Sequence, residues 1–508
     1  MKNLFNTLAF VCAVPLVGAR AAEAAKPNIL YILCDDLGYG DVKCLGGERS
    51  KIPTPNIDKL AAEGMIFTEA HSSASVCTPS RYGILTGRYN WRSRLQAGVL
   101  GPYDDSLIPP DRLTVAGLLK QQGYSTGCVG KWHLGWQWPR QGEGFDFSKP
   151  IKGGPTAVGF DYYFGSDMPS YPPCFIENEH TVGIPIGVKA GRKGKEDAES
   201  ETDQSAGVPG WSLESILPTH TAKACEWITA QAKTGKPFFL YLPLTAPHTP
   251  IVPTKEWQGK SGLDKYADYV METDAMIGRV LDALAASGAA SNTLVIFTSD
   301  NGRTPGGHSA SIEKRGHYSS EFRRGYKTDV FDGGHRMPFI ARWPGKIKEG
   351  TTSDQLICLT DLMATCADIL GVKLPDTAGE DSVSILPALL GTADKPLREA
   401  VVHHSHRGHF AIRQGQWKLL FGSSSGGRSD PMPGSKALDQ LPPIQLYDMA
   451  KDVGERNNEY AAHPEIVEKL TKLMEKYVAE GRSTPGAPQK NDSPIELYKD
   501  AKKPGLKK

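Results

Sequence analysis

After its first two dozen residues, this sequence of 508 has no apolar run long enough to span a bilayer, so no membrane anchor is expected. It has no CxxC pair and no Cys/His spacing of the kind that builds a zinc site. Neither charge is in excess: 58 Lys and Arg stand against 57 Asp and Glu, a formal net charge of +1. That balance gives no bulk attraction to nucleic acid or to an anionic membrane. It also has no internal repeat. What remains is 39% hydrophobic and 23% charged, ordinary for a globular protein, in a chain long enough for one large core or two domains. The 54 glycines and 37 prolines imply many shaped loops.

The first residues differ from the rest. "MKNLFNTLAFVCAVPLVGARAAEA" carries a lysine, an apolar run from Leu8 to Val17, then small residues. Ala19-Arg20-Ala21 and Ala22-Glu23-Ala24 both suit a cleavage site. The run is too short to be an anchor, so residues 1–24 are expected to be a secretory signal and the protein to be periplasmic or secreted. Val11 before Cys12 does not suit a lipoprotein signal. Of nine cysteines, removal of the signal leaves eight, with no pairing legible.

Strands and helices then alternate. "NILYILCDDLGYGD" reads as a central buried strand that ends in Asp35 and Asp36. "SRYGILTG" reads as a helix beginning after Cys77, and "STGCVGKWHLG" as a strand with Lys131 and His133 beyond it. "KPFFLYLPLTAPHTP" is a strand and a loop holding His248; "NTLVIFTSDNG" is a strand ending in Asp300 and Asn301. The expected fold is α/β: a large, mostly parallel or mixed sheet flanked by helices, over residues 25–378. Residues 148–212 read as an irregular insertion near the cleft. Residues 379–485 read as a smaller α+β domain with a short antiparallel sheet. Residues 486–508, rich in lysine, read as a flexible tail.

In such a sheet, ligands gather beyond the carboxyl ends of the strands, where every polar group just named falls. Asp35, Asp36, Asp300 and Asn301 offer only oxygen, which suits calcium or magnesium. Arg81, Lys131, His133, His248 and Lys327 could neutralise an anion beside that metal. The helix start at Cys77 adds a positive dipole end. The residues alone therefore point to metal-assisted chemistry on a tetrahedral anion ester.

"CTPSRYGILTGR" resembles the signature of the type I, formylglycine-dependent sulfatases, through Cys77, Pro79, Ser80, Arg81, Leu85, Thr86, Gly87 and Arg88. "GKWHLG", "APHTP", "FTSDNG", "GYKTDVFDGGHRMPFIARWPG" and "LYDM" resemble further blocks of that family, in its order. The resemblance implies an alkaline-phosphatase-like fold and hydrolysis of sulfate esters on a sulfated carbohydrate or an aryl sulfate. It implies that a formylglycine-generating enzyme oxidises Cys77 to formylglycine during export. One hydroxyl of the hydrated aldehyde, activated by the metal and Asp300, would attack sulfur to give a covalent sulfate ester. His248 would protonate the leaving group, and Lys327 would bind sulfate. His133 would take the proton that lets the hemiacetal collapse, while Lys131 and Arg81 hold the diol. Asp35, Asp36, residue 77, Asp300 and Asn301 would hold one calcium, with magnesium as the alternative.

Two places depart from the family pattern. Asp332 stands where many relatives carry Glu, and residues 148–212 match no block closely except at "GFDYYFG". His335, Arg336 and His404 are expected substrate contacts. Two further basic groupings, Arg88/Arg92/Arg94 and "HHSHRGH", read either as local binding faces or as solvated and sheet residues. The C-terminal "HHSHRGHFAIRQGQWKLL" resembles the arylsulfatase and N-acetylgalactosamine-6-sulfatase branch. Two other readings stand beside the sulfatase: a phosphate or phosphonate ester hydrolase of the same superfamily, and an inactive scaffold that binds sulfated glycans.

Overall fold

A computed structural model describes residues 25–142, 144–186, 207–306 and 311–499. The expected signal at 1–24, the middle of the 148–212 stretch and the end of the tail lie outside the described residues.

Ten strands form the main sheet: β1 (Asn28–Cys34), β2 (Met65–Phe67), β3 (Ser125–Lys131), β4 (Tyr162–Ser166), β5 (Ile176–Glu177), β6 (His180–Thr181), β7 (Phe238–Pro243), β8 (Thr293–Ser299), β9 (Phe339–Arg342) and β10 (Thr351–Ser353). Their order across the sheet is β10-β2-β9-β8-β1-β7-β3-β4-β5-β6. The middle five, β8, β1, β7, β3 and β4, run parallel. The mixed character enters at both edges, where β9 and β5 pair antiparallel to their neighbours.

The apolar run of β1 is continuous because both faces are covered. Ile29, Tyr31 and Leu33 enter one core, with Val115, Leu118 and Leu119 of helix Val115–Gln121. Leu30, Ile32 and Cys34 enter the other, with Val270, Ile277 and Val280 of helix Lys265–Ala286. Period-two alternation along one strand thus feeds two separate cores.

The stretch expected to be irregular instead extends the sheet, since β4, β5 and β6 all fall within it. The strands are two to five residues long, too short for their alternation to show above the surrounding Gly and Pro. A second sheet, β11 (Val401–His404), β12 (Phe410–Gln414), β13 (Trp417–Leu420) and β14 (Gln445–Asp448), is an antiparallel meander under helix Pro464–Glu480.

Buried ion pairs join the two regions. Arg92 is fully buried and forms a bidentate pair with Asp381 at 2.8 and 2.9 Å. It also donates to the Tyr477 carbonyl and to Asn491. Arg88 pairs with Asp492 at 3.0 Å. These two arginines are therefore internal ties rather than a basic face. Asn491 and Asp492, in the segment expected to be a flexible tail, are held against the body by them. Lysine content alone could not show that this tail supplies partners for buried guanidinium groups.

Asp381→Ala would leave Arg92 buried without its carboxylate, and the Tyr89 N–H without its acceptor. We expect a loss of about 3–5 kcal/mol in urea unfolding. An unchanged midpoint would contradict this account of the tie.

Candidate active site

The site forms where β1 and β8 end side by side, with Cys34 in register with Ser299. The next residues, Asp35 and Asp36 on one strand and Asp300 and Asn301 on the other, therefore emerge together. The loops are laced by backbone bonds: Asp300 N–H donates to the Cys34 carbonyl, and Asp35 N–H to that of Ala246. The second bond draws in the loop carrying His248. Asp36 adopts a left-handed backbone, φ +64°, which strains a residue with a β carbon. His133 and Thr328 do the same, so three of the six such non-glycine residues among the described ones lie at this site.

Cys77 opens the helix Cys77–Thr86, every residue of which is buried. Arg81 lies one turn on, on the same face. It grips Asp300 through Nε at 3.0 Å and Nη2 at 2.8 Å. Lys131, the last residue of β3, donates to Asp35 at 2.7 Å. Lys327 donates to Asp36 at 3.1 Å and Asn301 Nδ2 to Asp36 at 2.7 Å. Thr304 also donates to Asp36. The His248 ring sets Nδ1 against the Thr249 carbonyl and turns Nε2 toward Asp36, 3.7 Å away.

Electrostatics follow from this packing. Burial works against the Asp35 carboxylate, but Lys131, His248, Arg81 and Lys327 together hold its pKa well below the usual range. Asp300 is pushed up to about 7 by burial and by the charges of Asp35 and Asp36, despite Arg81. Burial, then the charge of Lys327, brings His248 down to about 4. Burial also raises the Cys77 thiol, against the pull of Lys131 and Lys327. A buried thiol held in its neutral form is a poor nucleophile.

A hard cation does suit it. Asp35 Oδ1 and Asn301 Oδ1 are buried with no hydrogen-bond partner. Acceptor oxygens that make no hydrogen bond, the Asp35 one facing the Arg81 guanidinium at 3.5 Å, beside a crowded third carboxylate are what calcium or magnesium would satisfy. Asp35, Asp36 and His248 offer ligand atoms within 4.8 Å of one another.

The three expected substrate contacts are buried. His335 is fully buried, 3.1 Å through Nδ1 from His71 Nδ1 and stacked on His403 with ring centroids 3.7 Å apart. Arg336 is spent on a bidentate pair with Glu69 at 2.9 and 2.6 Å. These partners remove both side chains from a substrate-facing role. His404 is buried at the end of β11, where its carbonyl accepts from Ser75 N–H. Within "HHSHRGH", His403, His404 and His409 are buried, so the run is not a solvated face. His71, His335 and His403 do lie within metal-ligand reach of one another. However, the nearly parallel rings of His335 and His403, 11° apart, cannot both aim a lone pair at one ion. Burial lowers all three pKa values, giving a neutral packed cluster.

Sequence reasoning missed Thr304, Asp41, Tyr266 and Asp167. Tyr266 donates to Asp41 at 2.6 Å and to the Asp36 carbonyl at 3.3 Å, bracing the strained loop. No motif marks it, because it lies 230 residues away in sequence.

The Sulfatase family model matches residues 27–372. A model described as N-sulphoglucosamine sulphohydrolase, C-terminal, matches residues 321–425. The N-acetylgalactosamine-6-O-sulfatase of Bacteroides thetaiotaomicron is 36% identical, with 94% of this chain and 99% of the relative aligned. Human arylsulfatase A is 34% identical over 90% of this chain and 89% of its own length. A solved Bacteroides thetaiotaomicron structure, described within the metabolism of multiple glycosaminoglycans, superposes with a TM-score of 0.78 at 33% identity. That match covers 89% of this chain and 99% of the other.

If the oxygens around Asp300 hold a cation, calcium should raise the Tm of the native protein. Asp300→Ala should fold, show little such rise and bind calcium at least about tenfold more weakly by calorimetry. A full calcium response in this variant would contradict the ligand set.

Proposed function

The chain belongs to the sulfatase family and is a sulfuric ester hydrolase; we propose that it is exported and removes O-sulfate from a sulfated carbohydrate through a formylglycine formed from Cys77. The observation that supports this most directly is one buried cluster. The charges acting on the Cys77 thiol are those of Lys131, Lys327, Asp35 and Asp300, and beside them Asp35 Oδ1 and Asn301 Oδ1 accept no hydrogen bond. Among the described residues no helix is long and apolar enough to cross a membrane.

As formylglycine, residue 77 would supply a hydrated aldehyde, one hydroxyl to attack sulfur and the other to let the resulting ester collapse and release sulfate. Asp35, Asp36, Asp300, Asn301 and residue 77 would hold calcium or magnesium, whose charge would lower the cost of ionising that hydroxyl. The protein's own groups do the rest. Arg81 keeps Asp300 in place and adds fixed positive charge beside residue 77. Lys131 and Lys327 offer charge to sulfate oxygens without reorganising, because both are already anchored on aspartates. His248 donates through Nε2 to the departing oxygen. Burial and the charge of Lys327 hold its pKa down, and a bound sulfate would offset that lysine and favour protonation. His133 accepts a proton in the second half of the turnover.

For the substrate, the name of the Bacteroides relative makes 6-O-sulfated N-acetylgalactosamine the first candidate. Sulfate release from that sugar and from an aryl sulfate, set beside phosphate release from the matching phosphate ester, tests the reading. Sulfate release should dominate, and phosphate release at an equal or higher rate would overturn it. His248→Ala should slow an alkyl or sugar sulfate by on the order of 10²-fold or more, and an activated aryl sulfate much less, because a good leaving group needs little proton donation. Equal losses on both would remove His248 from that role.

A further inference from the structure

One buried carboxylate beside these groups has no part in the chemistry above. Asp167 follows the last residue of β4 and is 1% exposed. Its Oδ1 accepts two hydrogen bonds at 3.1 Å, one from the His133 backbone N–H and one from the Trp136 indole. His133 holds φ +53°. That conformation costs roughly 1–2 kcal/mol for a residue with a β carbon and persists only where its surroundings impose it.

The surroundings do so on three sides. Asp167 takes the His133 N–H. Thr78, the neighbour of Cys77, donates its hydroxyl to the His133 carbonyl at 3.0 Å. The ring Nε2 lies 2.8 Å from the Leu100 carbonyl. A carbonyl can only accept, so Nε2 carries the proton and Nδ1 keeps the lone pair. His133 Nδ1 is buried and has no partner.

We propose that Asp167 is a positioning residue, which fixes the backbone of His133 so that its unpaired Nδ1 is the atom that takes the proton from residue 77. The proposal rests on the role given to His133 above. In that step the hydroxyl proton passes to Nδ1, its O–H electron pair becomes the C=O bond, and the C–O bond to sulfate breaks with its electrons on sulfate. Burial pushes the Asp167 carboxyl up to about 7, so the contact depends on an acceptor oxygen more than on charge. An amide at this position keeps that oxygen, whereas a methyl group does not.

The test uses enzyme carrying formylglycine and an aryl sulfate in rapid-mixing kinetics. Asp167→Ala should release one equivalent of aryl alcohol at the native rate and then stall. Its steady-state kcat should fall on the order of 10²-fold with no rise in KM. Asp167→Asn should restore turnover. Asp167→Glu keeps the charge but displaces the acceptor, so it should stall too, and it carries the test if the alanine variant does not fold. A second readout needs no formylglycine. In ¹⁵N-histidine-labelled protein with Cys77 intact, His133 should show a single Nε2–H tautomer that becomes a mixture in the alanine or glutamate variant.

Native turnover without a stall in both Asp167→Ala and Asp167→Glu would overturn the proposal. So would a rise in KM confined to the sugar substrate, which would make Asp167 a substrate contact. An asparagine variant as damaged as the alanine one would also overturn it. If His133→Ala itself turned over without a stall, the role of His133 would fall instead, and the ring tautomer would still decide whether Asp167 positions it.

Discussion

Three carboxylates, Asp35, Asp36 and Asp300, are buried at the ends of two neighbouring strands, where each raises the cost of ionising the others. Most of the site can be understood as what keeps them there. Arg81, Lys131 and Lys327 each anchor on one of them, and a hydrogen-bonded Asn301 and Thr304 complete the shell of Asp36. Breaking such a shell leaves an uncompensated buried charge, so its members depend on one another. The cations that balance the carboxylates are the same ones that would meet a sulfate. The arrangement is built before substrate arrives, which is what electrostatic catalysis requires.

The fold supplies the rigidity. Five parallel strands with both faces covered deliver their carboxyl ends to one edge, and two cores clamp β1 from either side. A helix buried along its whole length then fixes residue 77 over that edge. The strain stored at Asp36, His133 and Thr328 is affordable only because the sheet beneath cannot relax. The C-terminal meander lies beside the same edge. Its sheet packs against the loops before Cys77 and after Lys327, and its buried arginine ties hold it there.

Much of this is legible in the sequence, for physical reasons. A strand covered on both faces must be apolar throughout, so "NILYILC" is conspicuous. Acidic pairs directly after such strands mark the ligand edge, and Cys77 and Arg81 fall one helical turn apart. What escapes notice is long-range pairing. Tyr266, Asp167 and Asp41 act through a few hydrogen bonds to residues distant in sequence, and no local pattern announces them. Polar residues beside a motif mislead in the opposite direction. His335 and Arg336 follow the Lys327 loop closely, yet their partners, His71 and Glu69, lie more than 260 residues earlier and take them out of solvent. Arg88 and Arg92 look like surface charge for the same reason. Charge in a sequence says nothing of burial until its counter-charge is located.

The mass of the peptide spanning residue 77 tests the central claim most directly, measured on protein exported from cells that contain a formylglycine-generating enzyme. A mass ~18 Da below that of the cysteine peptide is the predicted result, the exchange of a thiol for an aldehyde whose hydrate carries the attacking hydroxyl. An intact cysteine in protein that still releases sulfate at full rate would contradict the account.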